Sequence, residues 1–347
     1  MKNKIAIFDS GVETPEEIII AAGFIPCRLF GDPSIEPDRA NEHIPPTHCV
    51  WTRNLLEQAI KGLDKDIVGL VCTHGCDRTN REFDIWLECV DLDFMFFLNS
   101  PRKRGKLALK FFMDDMKELI TQLENKFDVI ITPEKIKDAI KLMNKIRSLL
   151  RELSEWRKKM ILKSSEFHAM VKLAQQKDKD EVIRILESKL NELKGQKPID
   201  AANLKKVLLT GSDIDDTEFI KYLEDLGFYM VIDDLPIGTK YFWDTVDEEG
   251  DPIEALARYH LTKPIYSTKF PSYERYEVIK KLAQDYEVDG IINIAQKFCE
   301  PILYDHPYLN KMVKEDLKLP YLFVEMTYSR ESYKQLSTRF SAFAEII

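Results

Sequence analysis

The chain has no run approaching the roughly 18 consecutive apolar residues that cross a bilayer. Its opening, MKNKIAIFDSG, offers only a four-residue apolar stretch before Asp9, too short for a secretory core. These absences point to a cytoplasmic protein with no membrane partner. Basic charge is scarcer than acidic: 50 Lys and Arg stand against 59 Asp and Glu, a formal net charge of −9. Composition therefore forces no cationic face for nucleic acid, although it leaves room for a local basic pocket. Glycine is sparse, and none of it builds GxGxxG or a Walker loop, so Thr210-Gly211-Ser212 is a poor phosphate cradle. Cysteine is limited to six positions, 27, 49, 72, 76, 89 and 299, without the paired spacing of a zinc ribbon or the run of a ferredoxin. In a reducing compartment these are not disulfides. The ordinary role of a free cysteine is a small buried hydrophobe.

What is present is a globular composition, 44% hydrophobic and 31% charged over 347 residues, enough for two or three domains. In residues 1–104, apolar runs (KIAIF, IPCRLFG, DIVGLVCTHG, DFMFFLNS) alternate with helical segments. Thr14-Pro15-Glu16-Glu17 has the form of a helix start, and Gly23 of a helix stop. Residues 105–198 lack strand signal and carry apolar residues at three- and four-residue spacing, as in Ile136, Ile140, Met143, Ile146, Leu150 and Leu153. The alternation resumes over 199–347 with KKVLLTGS, FYMVID, DGIINIA and LPYLFVEM as strands; Tyr308–Leu317 and Leu336–Ile347 read as helices. The expected fold is α/β: two parallel-sheet domains of Rossmann or flavodoxin type with a helical insert between them.

In open parallel sheets, ligands bind beyond the carboxyl ends of the strands. Cys76 follows DIVGLVCTHG and Cys299 follows DGIINIA, so each falls at that edge of its own domain. Cys49 opens a helix after a proline-rich loop, where the positive end of the helix favours a thiolate. Three such thiols can converge on one soft metal centre, or they can be separate buried thiols; spacing alone does not choose. Cys27, mid-strand, and Cys89, late on a helix, read as core. Ser10, Glu17 and His48 are candidate site residues near the strand ends, with plainer readings as a loop hydroxyl, a first-turn helix acid and a surface histidine. Arg78 and Arg81 are candidate phosphate contacts.

Several patterns together resemble the 2-hydroxyacyl-CoA dehydratase and benzoyl-CoA reductase family. They are Pro15-Glu16-Glu17-Ile18 with Ala21-Ala22-Gly23-Phe24-Ile25-Pro26; Cys49 with Arg53, Leu55 and Glu57; Cys76-Asp77-Arg78 with Asp84-Ile85-Trp86; and Asp233-Asp234-Leu235 with Gly238 and Tyr241-Phe242. The most specific is Val288-Asp289-Gly290-Ile291-Ile292 through Lys297-Phe298-Cys299-Glu300-Pro301, followed by Leu319-Pro320-Tyr321-Leu322. The match is poor in the helical middle. The resemblance implies a 4Fe–4S cluster on Cys49, Cys76 and Cys299 with one iron left open, in a D-component-like subunit. It implies a homologous second subunit, or a second copy of this chain, as partner and a separate iron–sulfur ATPase as activator. The substrate would be an acyl-CoA, acted on by a dehydratase (lyase) or a reductase (oxidoreductase). Cys72, four residues before Cys76, is the candidate extra ligand for a larger or double cluster. The competing expectation is a double-cubane or electron-relay protein that reduces small molecules without a CoA substrate.

Overall fold

The computed structural model describes residues 2–11, 13–200 and 203–347. The first α/β unit runs β1 (Lys4–Phe8), α1 (Glu16–Ala21), β2 (Ile25–Arg28), α2 (Ala40–His43), α3 (Val50–Lys61), β3 (Ile67–Thr73), α4 (Asp77–Cys89) and β4 (Met95–Leu98). Four helices follow: α5 (Lys106–Phe127), α6 (Pro133–Lys158), α7 (Ser164–Gln176) and α8 (Lys179–Leu193). The second unit runs β5 (Lys205–Gly211), α9 (Thr217–Asp225), β6 (Phe228–Asp233), α10 (Pro252–Thr262), α11 (Glu274–Asp285), β7 (Gly290–Gln296), α12 (Glu300–Met312), β8 (Tyr321–Met326), α13 (Arg330–Gln335) and α14 (Ser337–Ile346). No helix of the described residues is long and apolar enough to cross a membrane.

The strands are near-continuous apolar runs because both sheet faces are covered. Ile5, Ile7 and Val71 pack beneath α1, α5 and α10, while Ala6, Phe8, Leu70 and Cys72 pack beneath α3 and α4. Every strand pair is parallel. The two sheets repeat one order, β2-β1-β3-β4 and β6-β5-β7-β8. In each, the chain steps outward from the first strand to the second, then crosses back to pair its third strand with the first. The first and third strands therefore form a switch point, with a crevice at their carboxyl ends. In the second sheet that edge is tight: Gly211 has φ +134°, and a Cβ there would stand 1.9 Å from the Ile294 carbonyl oxygen.

The helix following Cys299 differs from expectation. It begins at Glu300, with Pro301 in its first turn, and runs through Pro307 before a π turn at Val313–Leu317. Proline is preferred in a first turn, and its interior copy at 307 hides the continuity of the segment. Thr14 also departs from the expected cap. Pro15 is the N-cap of α1, and the Thr14 hydroxyl donates to Asp9 at 3.0 Å instead.

α6 joins the two units. Arg147 reaches Glu17 of α1 at 2.5 Å, and Arg157, ten residues on, reaches Asp233 at the end of β6 at 2.9 Å.

Candidate functional site

Cys49, Cys76 and Cys299 are each the N-cap residue of a helix: α3, α4 and α12. Two of these helices follow the third strand of their sheet, so Cys76 and Cys299 occupy equivalent places at the two switch points. The turn before Cys76 requires glycine at 75, where a Cβ would lie 2.2 Å from Ser10 Oγ and 3.3 Å from Thr79 Oγ1. Cys76 and Thr79 form a reciprocal capping box, with the Cys76 N–H donating to Thr79 Oγ1 at 3.1 Å. The turn into Cys299 passes through Phe298 in the left-handed region (φ +66°) and is closed by the Cys299 N–H on Gln296 O at 2.9 Å. Cys49 enters from the loop of Pro45 to His48, and the Val50 N–H donates to Lys297 O at 3.3 Å. That bond ties the Cys49 turn of the first unit to the Cys299 turn of the second.

The three sulfurs act on one another. Burial pushes the Cys49 thiol up to about 12, the N–H groups of Thr52 and Trp51 oppose this, and Cys76 adds to the rise. Cys76 is raised by burial, opposed by the N–H groups and hydroxyl of its own first turn. Cys299 is raised by burial and by both Cys49 and Cys76, and is eased by the Ser212 hydroxyl and the Ile302 N–H. Each thiol thus lies over first-turn donors that favour its charged form but do not overcome its desolvation. Among the described residues, no three His, Cys, Asp or Glu side chains close around a point as a single metal ion requires.

Buried polar atoms without a hydrogen-bond partner gather on the same loops: Ser10 Oγ after β1, Asp213 Oδ1 after β5 and Gln296 Oε1 at the end of β7. Burial raises the Asp213 carboxyl, Asp215 and Asp9 add to this, and Arg28 opposes it; its charge is felt at Cys76. Ser10 and Ser212 are the counterparts of one another after the first strands of the two sheets, one against Gly75 and the other against Cys299.

The remaining expected residues have these places. Ser10 stands beside the Cys76 turn. His48 is 4% exposed rather than on the surface, and its Nε2 pairs with the buried Glu82 at 3.1 Å. Glu82 also accepts from Trp86 Nε1 at 3.4 Å. Glu17 belongs to the α1–α6 contact through Arg147, whose guanidinium stacks 4.6 Å over Tyr259. Cys72 is fully buried on the β3 face under α3 and α4, with Asp9, Glu82 and Cys76 raising its thiol further after burial. Asp233 and Asp234 are held by Arg157, Lys240 and Arg275, so they brace the second unit.

Sequence reasoning missed Asp213, Asp215 and the Arg78–Glu300 pair. Asp215 Oδ2 accepts from Trp51 Nε1 of α3 at 2.8 Å and from the Gly31 N–H at 2.7 Å, and Oδ1 accepts from the Tyr328 hydroxyl. Arg78 of α4 pairs with Glu300 of α12, linking the helices that start at Cys76 and Cys299. The one local signal is the acidic run Asp213-Ile214-Asp215-Asp216 directly after a strand; the Asp215 partners Trp51 and Gly31 are more than 160 residues away.

A cleft of about 390 Å³ opens beside Cys76, walled by Arg78, Arg102, Ser267, Thr268, Pro301 and Tyr304 among others.

Comparison with known proteins returns one family. A model described as 2-hydroxyglutaryl-CoA dehydratase, D-component, matches residues 12–347, including the helical middle where the local patterns are poor. The (R)-phenyllactyl-CoA dehydratase beta subunit of Clostridium sporogenes is 26% identical, over 96% of this chain and 89% of its own length. The beta subunit of the (R)-2-hydroxyglutaryl-CoA dehydratase of Acidaminococcus fermentans is 25% identical, over 95% and 89%. A benzoyl-CoA reductase subunit of Thauera aromatica is 22% identical, over 97% and 89%.

Proposed function

The chain belongs to the 2-hydroxyglutaryl-CoA dehydratase D-component family, and from that premise we propose that it is the iron–sulfur subunit of an ATP-activated, low-potential enzyme acting on acyl-CoA thioesters. The reaction is dehydration of a 2-hydroxyacyl-CoA or reduction of an aromatic acyl-CoA. The chain works with a homologous second subunit, as the relatives' subunit names support, and receives its electron from a separate iron–sulfur ATPase.

The observation that carries this reading is the trio of N-cap cysteines at one crevice between two sheets. The donor set fits an iron–sulfur cluster: three buried thiols within one another's electrostatic reach are the soft donors that such a cluster takes. Such a cluster would be held by Cys49, Cys76 and Cys299 and would supply low-potential electrons to a bound acyl thioester. The protein's own residues do the rest. The helix N-termini favour negative sulfur. The His48–Glu82 pair fixes the turn before Cys49. Ser10, Asp213 and Gln296 keep polar atoms available within the crevice: the Ser10 hydroxyl can donate to a cluster sulfur, and the Asp213 and Gln296 oxygens can accept from a substrate hydroxyl. Glu17 acts at a distance, holding α1, and with it the Ser10 loop, against α6.

Anaerobic purification followed by iron and sulfide determination and EPR tests the reading. About four irons per chain are expected, falling to near none in Cys49→Ser and unchanged in Cys72→Ala. About eight irons, halved by Cys72→Ala, would replace the single cluster with a double one. Fewer than about three irons, indifferent to Cys49, would sink the cluster altogether.

A further inference from the structure

Because the two units repeat one strand order, the site residues fall at matching places. Cys76 and Cys299 follow the third strands, and Ser10 and Ser212 follow the first. Cys49 opens α3, the helix that leads into the third strand of the first unit. In the second unit the helix in that place is α11, and the chain has no cysteine between Cys89 and Cys299. The place matching Cys49 belongs instead to residues 263–273, which join α10 to α11.

That segment is strapped onto the first unit. Lys269 Nζ donates to the Ser100 hydroxyl at 2.8 Å and to Pro101 O at 3.0 Å, and the Phe270 N–H donates to Arg102 O at 2.9 Å. At its other end Arg104 donates to Leu261 O at 2.8 Å and to Lys263 O at 3.0 Å. Between these ties Tyr266 turns inward and is 4% exposed. Its ring packs with Ala295 of β7 and Ile302 of α12, in a group that Cys299 also joins. The neighbouring hydroxyls of Ser267 and Thr268 are sealed by protein atoms without a partner. The Tyr266 hydroxyl is not among such sealed atoms, and it bonds to none of the described residues. Burial raises its phenol, Asp213, Cys299 and Cys76 add to this, and Arg275 opposes it, so the group is a neutral O–H donor.

A 4Fe–4S cluster ordinarily takes four cysteines, and this crevice gathers three. We infer that Tyr266 fills the fourth place: it walls the side of the cluster site that no thiol covers, and donates its phenol O–H to a cluster sulfur there without binding iron. The inference rests on the cluster reading above. A hydrogen bond to cluster sulfur offsets the negative charge that reduction adds, so Tyr266 makes the cluster easier to reduce.

An EPR-monitored redox titration of the anaerobically loaded full-length chain tests this, with iron counted in the same samples. Tyr266→Phe keeps the ring and removes the hydroxyl. It should retain about four irons per chain and the wild-type melting temperature. Its reduction equilibrium should fall roughly tenfold, a midpoint about 59 mV more negative for a one-electron couple, with a shifted signal from the reduced cluster. Tyr276→Phe is the control: that hydroxyl lies on Asp316 at 2.5 Å, between α11 and the turn after α12, and its loss should leave midpoint and signal unchanged. Equal midpoints and signals in wild type and Tyr266→Phe would reduce Tyr266 to packing, overturning the inference while the cluster stands. Loss of iron from Tyr266→Phe would make the phenol a ligand and overturn it as well. Absence of iron from the wild type would overturn the cluster reading, and the role of Tyr266 with it.

Discussion

His168 on α7 has both ring nitrogens engaged: Nδ1 with the Thr217 hydroxyl at 2.9 Å, and Nε2 with the Ile214 carbonyl, also at 2.9 Å. A carbonyl only accepts, so Nε2 carries the proton and Nδ1 accepts from Thr217. The pair of bonds is satisfied by the neutral ring, and burial lowers its pKa to about 4. Between that value and the ordinary 6.5, the unfolded chain binds a proton that the folded chain does not. The stabilisation is therefore complete above about pH 6.5 and is lost as pH falls toward 4, reaching ~3 kcal/mol for this one group. His168→Gln keeps a donor and an acceptor but cannot titrate. Denaturant melts at about pH 7 and pH 4.5 should show the wild type losing about 2 kcal/mol more than the variant across that interval; parallel losses would clear His168 of the role. At this scale the sequence exposed its cysteines better than their neighbours. Cys76 and Cys299 could be placed because each sits just past an apolar strand run. The settings of Ser10, Glu17 and His48 could not, because Gly75, Arg147 and Glu82 reach them from distant segments and nothing local in the chain signals the pairing.

Among the elements, α6 carries the clearest energetic claim. Glu17 and Arg147 are both nearly inaccessible, 1% and 4% at the side chain, and 2.5 Å apart. Removing one partner strands the other charge away from water, while replacing both with neutral groups of similar shape removes the desolvation cost as well. Glu17→Ala should therefore cost about 3–5 kcal/mol, and Glu17→Gln/Arg147→Met should recover most of it. Urea melts of the two variants decide the matter. If the double variant is as unstable as the single, the pair's contribution is attraction rather than mutual relief from burial. The strands and most helices were legible because each is one uninterrupted pattern, of apolar runs or of three- and four-residue spacing. α12 was not, since Pro307 falls inside it and hides its opening turns, the ones that make Cys299 an N-cap.

For the molecule as a whole, the repeated strand order of the two sheets was invisible in the residues. A buried parallel strand asks only for apolar volume, so Ile, Val, Leu and Phe can replace one another while the topology persists. What the repeat produces is two crevices, and the joining of these into one site depends on how the units are held together. Three contacts do this near the cysteines: the Val50 N–H on Lys297 O, the Arg78–Glu300 pair, and Asp215. Asp215 is the strongest of them, because one buried carboxylate from the second unit accepts from Trp51 and Gly31 of the first and from Tyr328 beyond β8. Asp215→Asn turns one of these acceptor positions into a donor that faces another donor. It should lower stability by about 2–4 kcal/mol. The loss should also be local. Amide exchange should quicken at Val50 to Arg53, the first turn of α3, while β1, β3, β5 and β7 keep their protection. Tyr328→Phe removes a single donor and should cost about 1 kcal/mol with little change in exchange. Uniform acceleration across both sheets in Asp215→Asn would mean that the carboxylate supports global folding. Acceleration confined to the Cys49 turn would mean that it sets the position of Cys49 against Cys299, and iron binding should then weaken in the same variant.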